Sequence, residues 1–500
     1  MAQETHVNQG SQPNSAASSH TRLIEVIDAL VLRAGAEPWG VRELAAELGE
    51  SRSTINRILL TLVEQGFALE AGAGKYIVGP RVSVLTNALI ARSVLLQICN
   101  ARLAELADST NATALLSIYS PGAGGYFVAA CSEPNASLTF RPKLGAMHPL
   151  SFGGIGGQLA AFLGVEELIQ AGPLNVFDSS EYEFPEPLSV AVRRLQSGIV
   201  IAISVHSADG KPTHNAELFN DGVLSFSDEL VNMIDETLCK REVSQPIVSL
   251  EDTKSTASRL ERLLLIACAL PQGVKNTVGL HDQLLCNAAT AKRLVQSGIQ
   301  SGIVVLVGSI LYPGPKLFQW ASRLGFRENI ADLTRPTVQS LVQETGETIA
   351  ILSFDEELKR AEFLDVIQGW RPIQYQLSVN TDVPLYAGAA GKAVLAFCEQ
   401  ETIESIELIK LTEATITDRS ELKADLQVIG ERGWATGAGE RVLGAFGLAV
   451  PFFVDGKIRG SISATIPQYR KDERGLPRLT LLMQEATRKI GRLLSLGVSH

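Results

Sequence analysis

The sequence predicts an α+β chain in which a helix-rich segment of roughly 70 residues precedes a mixed α/β segment of roughly 150, the pair occurring twice. Three observations predict it. Tyr76-Ile-Val-Gly-Pro80-Arg81 recurs as Tyr312-Pro-Gly-Pro315-Lys316. His148-Pro-Leu-Ser-Phe-Gly-Gly-Ile-Gly156-Gly-Gln-Leu-Ala-Ala-Phe162 recurs as Val383-Pro-Leu-Tyr-Ala-Gly-Ala-Ala-Gly391-Lys-Ala-Val-Leu-Ala-Phe397. Pro80 and Pro315, Gly156 and Gly391, and Phe162 and Phe397 are each 235 residues apart, so 79–162 lies on 314–397 without a gap. Leu106, Thr110 and Thr113 then fall on Leu341, Thr345 and Thr348. A period this long is not that of a solenoid repeat; it reads as tandem duplication of a two-domain protein.

Composition bounds the rest. The chain has 500 residues, 45% hydrophobic and 20% charged, with a net charge of −10. That is ample for several packed cores and excludes a wholly disordered chain. It also argues against a basic coat over the whole surface, while leaving room for one locally basic module. Cys99, Cys131, Cys239, Cys268, Cys286 and Cys398 form no C-x-x-C pair and read as buried free thiols of a reducing cytoplasm. Neither a metal nor a cofactor is expected. No apolar run reaches the length of a membrane span, and residues 1–20 are polar and small, reading as a disordered tail without signal-peptide character.

The first segment, 21–92, reads as a winged helix. Leu23, Ile27, Leu30 and Val31 mark one helix, and Val41, Leu44, Ala45 and Leu48 a second, short one. Gly49 suits the tight turn after it, and Ser51 is placed to cap a third helix over 51–65. Ile55, Ile58, Leu59 and Leu62 form its apolar face. Ser51, Arg52, Ser53, Thr54, Asn56 and Arg57 form the opposite one. Helix, short turn and helix with a polar N-terminal face is a helix-turn-helix, with Arg suited to guanine or phosphate, Asn to adenine, and Ser and Thr to phosphate. Residues 66–70 and 75–78 read as a β-hairpin wing with Lys75 near its tip. Within 21–92 eight basic residues balance eight acidic ones, so the placement of charge, not its sum, carries the reading.

These residues resemble the DNA-binding domain of the IclR family of bacterial transcriptional regulators, through Val41-Arg-Glu-Leu-Ala, Arg52-Ser-Thr-Ile-Asn-Arg57-Ile-Leu and Leu62-Val-Glu-Gln-Gly66. The second copy resembles that family's effector domain through Pro384-Leu-Tyr-Ala-Gly-Ala-Ala-Gly391-Lys392-Ala, Arg432-Gly-Trp434-Ala, Leu448-Ala-Val-Pro451 and Gly460-Ser-Ile-Ser463-Ala-Thr465. The resemblance implies a winged helix-turn-helix joined to a GAF-like α/β effector domain, the pair repeated. The segments are then a degenerate effector-like domain at 93–246, a degenerate winged helix at 247–327 and an effector-binding domain at 328–500. It implies double-stranded operator DNA and a small organic acid, aromatic or short-chain, as ligands. Repression is the expected sense, although no residue separates it from activation. One intact reader per chain implies a homodimer on a two-half-site operator.

The copies differ in complementary ways. With Gly302 on Gly66, Thr290 and Arg293 match Thr54 and Arg57, but Ala288, Ala289 and Leu311 stand for Arg52, Ser53 and Lys75, and 303–311 is apolar where a wing is wet. In the first effector-like domain, Asp209-Gly210-Lys211 set on Asp455-Gly456-Lys457 and Gly198 set on Gly433 imply a deletion of eleven residues removing the counterpart of Glu440, with Glu217 in place of Ser463 and Gly157 in place of Lys392. The second effector domain is the expected sensor. By resemblance the loop Ala387, Gly388, Ala389 and Gly391 contacts the effector's acid group, exposed amides at a helix start favouring a carboxylate. Ser463 and Thr465 alternate on a strand and face one pocket. Trp434 flanks a planar ligand or packs in the core, Glu440 belongs to the pocket wall, and Lys392 reads as a solvated cation. His148, His206, His214 and His281 are isolated, and no Walker A, H-E-x-x-H or G-x-S-x-G motif occurs, so no enzyme is expected. The alternative is a scaffold or effector-binding protein that no longer reads DNA.

Overall fold

The computed structural model describes residues 18–151, 153–165, 185–207, 216–240, 247–248, 255–276, 279–325, 330–371, 375, 377–379, 381–470, 475–496 and 498–499. The expected tail up to residue 17, the Asp209-Gly210-Lys211 turn, His214 and most of the polar join near 243–257 lie outside the described residues. The chain divides into two compact units, 1–327 with 497–500, and 328–496.

The first unit opens with α1 (Ser19–Leu32), the short β1 (Trp39–Gly40), α2 (Val41–Glu47) and α3 (Arg52–Glu64). The apolar stripes at helical spacing are buried: Leu23, Ile27, Leu30 and Val31 on α1, and Ile55, Ile58, Leu59 and Leu62 on α3. Strands β2 (Ala68–Glu70) and β3 (Lys75–Val78) form the wing hairpin, and β1 joins it in the order β1-β3-β2. Helix α4 (Pro80–Arg92) starts where Gly79 packs so closely on the Gly66 carbonyl that a Cβ would collide with it.

Helix α5 (Val94–Thr110) leads into β4 (Thr113–Ser120), β5 (Gly125–Ser132), β6 (Met147–Pro149), α6 (Gly153–Leu163), β7 (Ser189–Arg194), β8 (Val200–His206) and α7 (Ala216–Lys240). The five strands form an antiparallel sheet, β6-β5-β4-β8-β7. After β9 (Ile247–Val248) a second winged helix follows: α8 (Thr256–Ala269), β10 (Val274–Lys275), α9 (Leu280–Gln283), α10 (Ala288–Gln300), β11 (Val304–Val307), β12 (Ile310–Pro313) and α11 (Pro315–Leu324). Its sheet order, β10-β12-β11, has the pattern of β1-β3-β2. Gly314 repeats Gly79: its Cβ would strike the Gly302 carbonyl.

The two winged helices pack on each other. Arg81, second residue of α4, donates from Nε to Glu261 Oε1 on α8 at 2.8 Å. Lys316, second residue of α11, pairs with Asp28 on α1, whose other oxygen accepts from Trp320 Nε1 at 2.7 Å. Arg81 and Lys316 lie 235 residues apart, and each reaches the first helix of the other winged helix.

The second unit contains α12 (Ile330–Thr345), β13 (Thr348–Asp355), β14 (Arg360–Ile367), α13 (Ala389–Leu395), α14 (Gln400–Ser405), α15 (Arg419–Arg432), β15 (Ala435–Ala438), β16 (Ala445–Val454), β17 (Lys457–Pro467) and α16 (Leu476–Leu494). Its antiparallel sheet runs β14-β13-β17-β16-β15. One face is closed by α12 and α16 over Ile349, Leu448, Ile462 and Met483; the other is covered by α13 and α15 over Ala350, Leu352, Phe363 and Ala449. Asp455 and Gly456, both at positive φ, make the expected two-residue hairpin turn between β16 and β17. The expected domain at 328–500 ends instead at Leu496: β18 (Val498–Ser499) belongs to the first unit, where it pairs with β9.

Strand register corrects the alignment of the two α/β domains. Thr113 on β4 faces His206, and Leu115 faces Ser204. Thr348 on β13, the match of Thr113, faces Thr465, and Ala350 faces Ser463. Ser204 therefore stands where Ser463 does, 259 residues on, and not Glu217, which lies in α7. The gap against the 235-residue period is 24 residues, not eleven. Gly198 lies in the β7–β8 hairpin turn, whereas Gly433 ends α15. Among the described residues the first sheet has no counterpart of α15 and β15.

Candidate functional site

Two sites emerge, one in each unit. The first is the exposed end of α3. Ser51 Oγ accepts from Thr54 N at 3.1 Å and fixes the helix start. Arg52, Ser53, Asn56 and Arg57 are exposed and Thr54 is half-buried. Among the described residues neither Arg52 nor Arg57 has an ion pair, so both guanidinium groups are open to an anionic partner. Lys75 begins β3 after the wing loop, with Glu37 3.8 Å away. In the second winged helix, Asn287 caps α10 by accepting from Thr290 N at 2.8 Å. Arg293 there reaches back to Thr290 Oγ1 at 3.4 Å. Beside α10 lies an apolar groove of about 520 Å³ that includes Ala288, Lys292, Ile299 and Leu306. Leu306 and Val307 on its wing are exposed.

The second site is a cavity of about 90 Å³ in the second unit. Of the residues expected there, Ala387, Gly388, Ala389, Glu440, Ser463 and Thr465 line it. Gly391 and Trp434 do not. Gly391 is a packing glycine, since a Cβ would strike the Pro384 carbonyl oxygen. Trp434 packs against the core below the sheet, with the Arg432 guanidinium 3.9 Å from its ring centre. Phe363, Tyr375, Leu377, Arg441 and Val442 line the cavity and were not expected. The only sequence signal for Arg441 was its position next to Glu440.

The acid-binding role expected of the glycine loop meets a competitor. Glu440 Oε2 already accepts from Gly388 N at 2.8 Å. Its other oxygen receives Lys392 Nζ at 2.7 Å, and the same ammonium donates to Asp425 Oδ2 at 2.7 Å. Lys392 is 2% exposed, so it is a buried, paired cation and not a solvated one. Lys392 lies on α13, which packs on β16, β17 and α15, and its partner Asp425 belongs to α15. Ser463 Oγ is buried and has no hydrogen-bond partner among the described residues. Arg441 sits with its guanidinium 5.1 Å from the Phe363 ring centre, and burial pulls its pKa down from the usual arginine value.

At the corresponding strand positions in the first α/β domain, Ser204 and His206 are buried and paired. His206 Nδ1 lies 2.9 Å from the Pro185 carbonyl oxygen, which can only accept. Nδ1 therefore carries the proton and Nε2 accepts from Ser204 Oγ at 2.9 Å. The two side chains standing where Ser463 and Thr465 stand satisfy each other.

The helix-turn-helix thus ends in exposed basic residues, and the second unit holds a small lined cavity. Residues 20–70 match the IclR helix-turn-helix domain, and residues 326–492 match the C-terminal domain of bacterial transcriptional regulators of the IclR type. The chain is thus similar to both domains of the IclR family, one copy of each being matched. It is 29% identical over 184 residues to the HTH-type transcriptional regulator BhcR of Paracoccus denitrificans, covering 35% of this chain and 64% of that protein. It is 28% identical over 171 residues to the transcriptional repressor IclR of Escherichia coli, covering 33% and 62%. The chain therefore spans just under two thirds of each of these relatives. Among solved structures it is similar to the Thermotoga maritima IclR, at 24% identity and a TM-score of 0.32 over 48% of this chain and 97% of that one. No single described helix is long and apolar enough to cross a membrane.

Proposed function

We propose that this chain is a tandem-duplicated IclR-type transcriptional repressor that acts in the cytoplasm. Its first winged helix reads operator DNA through Ser51, Arg52, Ser53, Thr54, Asn56, Arg57 and Lys75. Its last domain senses a small organic acid in the cavity lined by Ala387, Gly388, Ala389, Glu440, Ser463 and Thr465. The observation that carries the reading is the N-capped α3, whose Arg52 and Arg57 are exposed and unpaired within a matched helix-turn-helix domain. The repeated sheet orders and the reciprocal Arg81–Glu261 and Lys316–Asp28 pairs support the duplication. In this reading the second winged helix is a packing partner for the first, the first α/β domain no longer senses a ligand, and two chains form a homodimer that covers two half-sites. Ligand binding favours one arrangement of the reading heads.

Fluorescence anisotropy on the gene's own upstream region tests this at two salt concentrations. Arg52→Ala/Arg57→Ala abolishes specific binding, whereas Lys292→Ala/Arg293→Ala leaves it nearly intact. Loss in both variants makes the second winged helix a reader too. Absence of specific, salt-dependent binding by the wild type brings the scaffold reading forward. Light scattering that returns the mass of one chain at working concentration overturns the homodimer.

A further inference from the structure

We infer that Arg441 is the carboxylate receptor of the cavity in the second unit, and that the ligand is a small monocarboxylic acid with an apolar body. The inference deepens the sensor reading above and rests on it. Its starting point is that the glycine loop already holds an internal carboxylate: Glu440 Oε2 sits on Gly388 N while Glu440 Oε1 is locked to the buried Lys392. An incoming acid at that amide would displace Glu440 and leave Lys392 with half of its counter-charge, a costly exchange in a low-dielectric interior.

The charge the cavity leaves unsatisfied is elsewhere. Arg441 lines it, and among the described residues its guanidinium makes no ion pair or hydrogen bond. Burial alone depresses its pKa, with no carboxylate offsetting the desolvation. A desolvated guanidinium favours an anion that can accept two parallel N–H bonds. The rest of the lining selects the body of the ligand. Phe363, Leu377, Val442 and Ala445 are apolar, and Gly437 and Gly447 keep the wall thin. Ser463 Oγ, on a side chain 3% exposed and without a partner, offers one further hydrogen bond from the sheet. A single cation with one buried hydroxyl matches one carboxylate on an apolar frame; a dicarboxylate would bring a second charge with no cation open to receive it.

Isothermal titration of the full chain tests this with benzoate and propionate as acid probes and benzamide and propionamide as their neutral isosteres. The wild type binds at least one acid, and its isosteric amide about 30-fold more weakly, the size expected for losing a buried charge-assisted pair. Arg441→Gln removes that preference, bringing acid and amide to similar affinity, and Arg441→Lys restores part of it. Circular dichroism melts of each variant check folding. Equal acid preference in wild type and Arg441→Gln overturns Arg441 as receptor while leaving the cavity a sensor, a result that Ser463→Leu, by abolishing binding, would make plain. Failure of every probe to bind the wild type overturns both the inference and the sensor reading.

Discussion

Arg81 and Glu261 meet at 2.8 Å across 180 residues of sequence, with side chains 1% and 2% exposed. They tie α4 of the first winged helix to α8 of the second, and the Lys316–Asp28 pair ties α11 to α1 in return. The two pairs thus join the two winged helices within one chain.

Breaking that pair should unfold the first unit early. Glu261→Gln leaves a guanidinium buried without its full counter-charge, and the expected loss is about 3–5 kcal/mol. Arg81→Met/Glu261→Leu removes both charges and is expected to recover most of it. Urea unfolding of the three proteins, read by far-ultraviolet dichroism, checks the order: a double variant as unstable as the single one would assign the cost to lost packing instead.

Ser51 supports both the helix and the site. Its Oγ accepts from Thr54 N and lies 3.0 Å from Ser53 Oγ, setting the first turn that carries Arg52. Ser51→Ala is expected to cost about 1 kcal/mol of stability. It is also expected to weaken operator binding several-fold, because the fraying turn bears the proposed contact residues. Ser51→Asp keeps the cap but adds a negative charge beside the DNA face, so it should restore the melting temperature and not the affinity. Thermal melts paired with anisotropy separate the two effects.

Lys392 holds Glu440 in place. Lys392→Met leaves Glu440 and Asp425 facing an uncharged buried chain, and the expected penalty is about 3 kcal/mol. Glu440 should then release Gly388 N, and affinity for an acid ligand should change together with stability. Trp434→Phe serves as the control. That ring packs under the sheet and lines no part of the cavity, so a changed affinity in Trp434→Phe would contradict the placement found here.

Much of this was legible in the sequence because periodicity reports directly on burial. The stripes of α1 and α3, the Ser51 cap, the wing and the Asp455-Gly456 turn are local, and local rules set them. Six of the eight expected cavity residues also fell into place, since Ser463 and Thr465 follow strand alternation and Ala387, Gly388 and Ala389 sit on one loop. What failed was long-range. Gly391 follows the cavity residue Ala390 but packs on the Pro384 carbonyl, and Trp434, just before β15, packs against the core on the other side of the sheet. Lys392 is charged yet buried, which no hydropathy pattern reveals; its partners lie 33 and 48 residues away. The eleven-residue deletion failed because a short Asp-Gly-Lys match is weaker evidence than strand register, and only the ladder puts Ser204 opposite Leu115.

His206 gives the first unit a pH dependence with a definite sign. Burial lowers its pKa to about 4 from the ordinary histidine value of about 6.5, the bond to the Pro185 carbonyl offsetting part of the effect. The folded state therefore binds the proton less readily than the unfolded chain. The contribution of neutral His206 is complete above about pH 6.5 and is lost as pH falls toward 4, amounting to about 2 kcal/mol between pH 7.5 and 5. His206→Gln retains an N–H donor for Pro185 and a carbonyl acceptor for Ser204 without titrating. Urea midpoints at pH 7.5 and 5 should therefore converge in the variant by that amount relative to the wild type. Equal pH dependence in the two proteins would mean that burial does not hold His206 neutral in the folded chain.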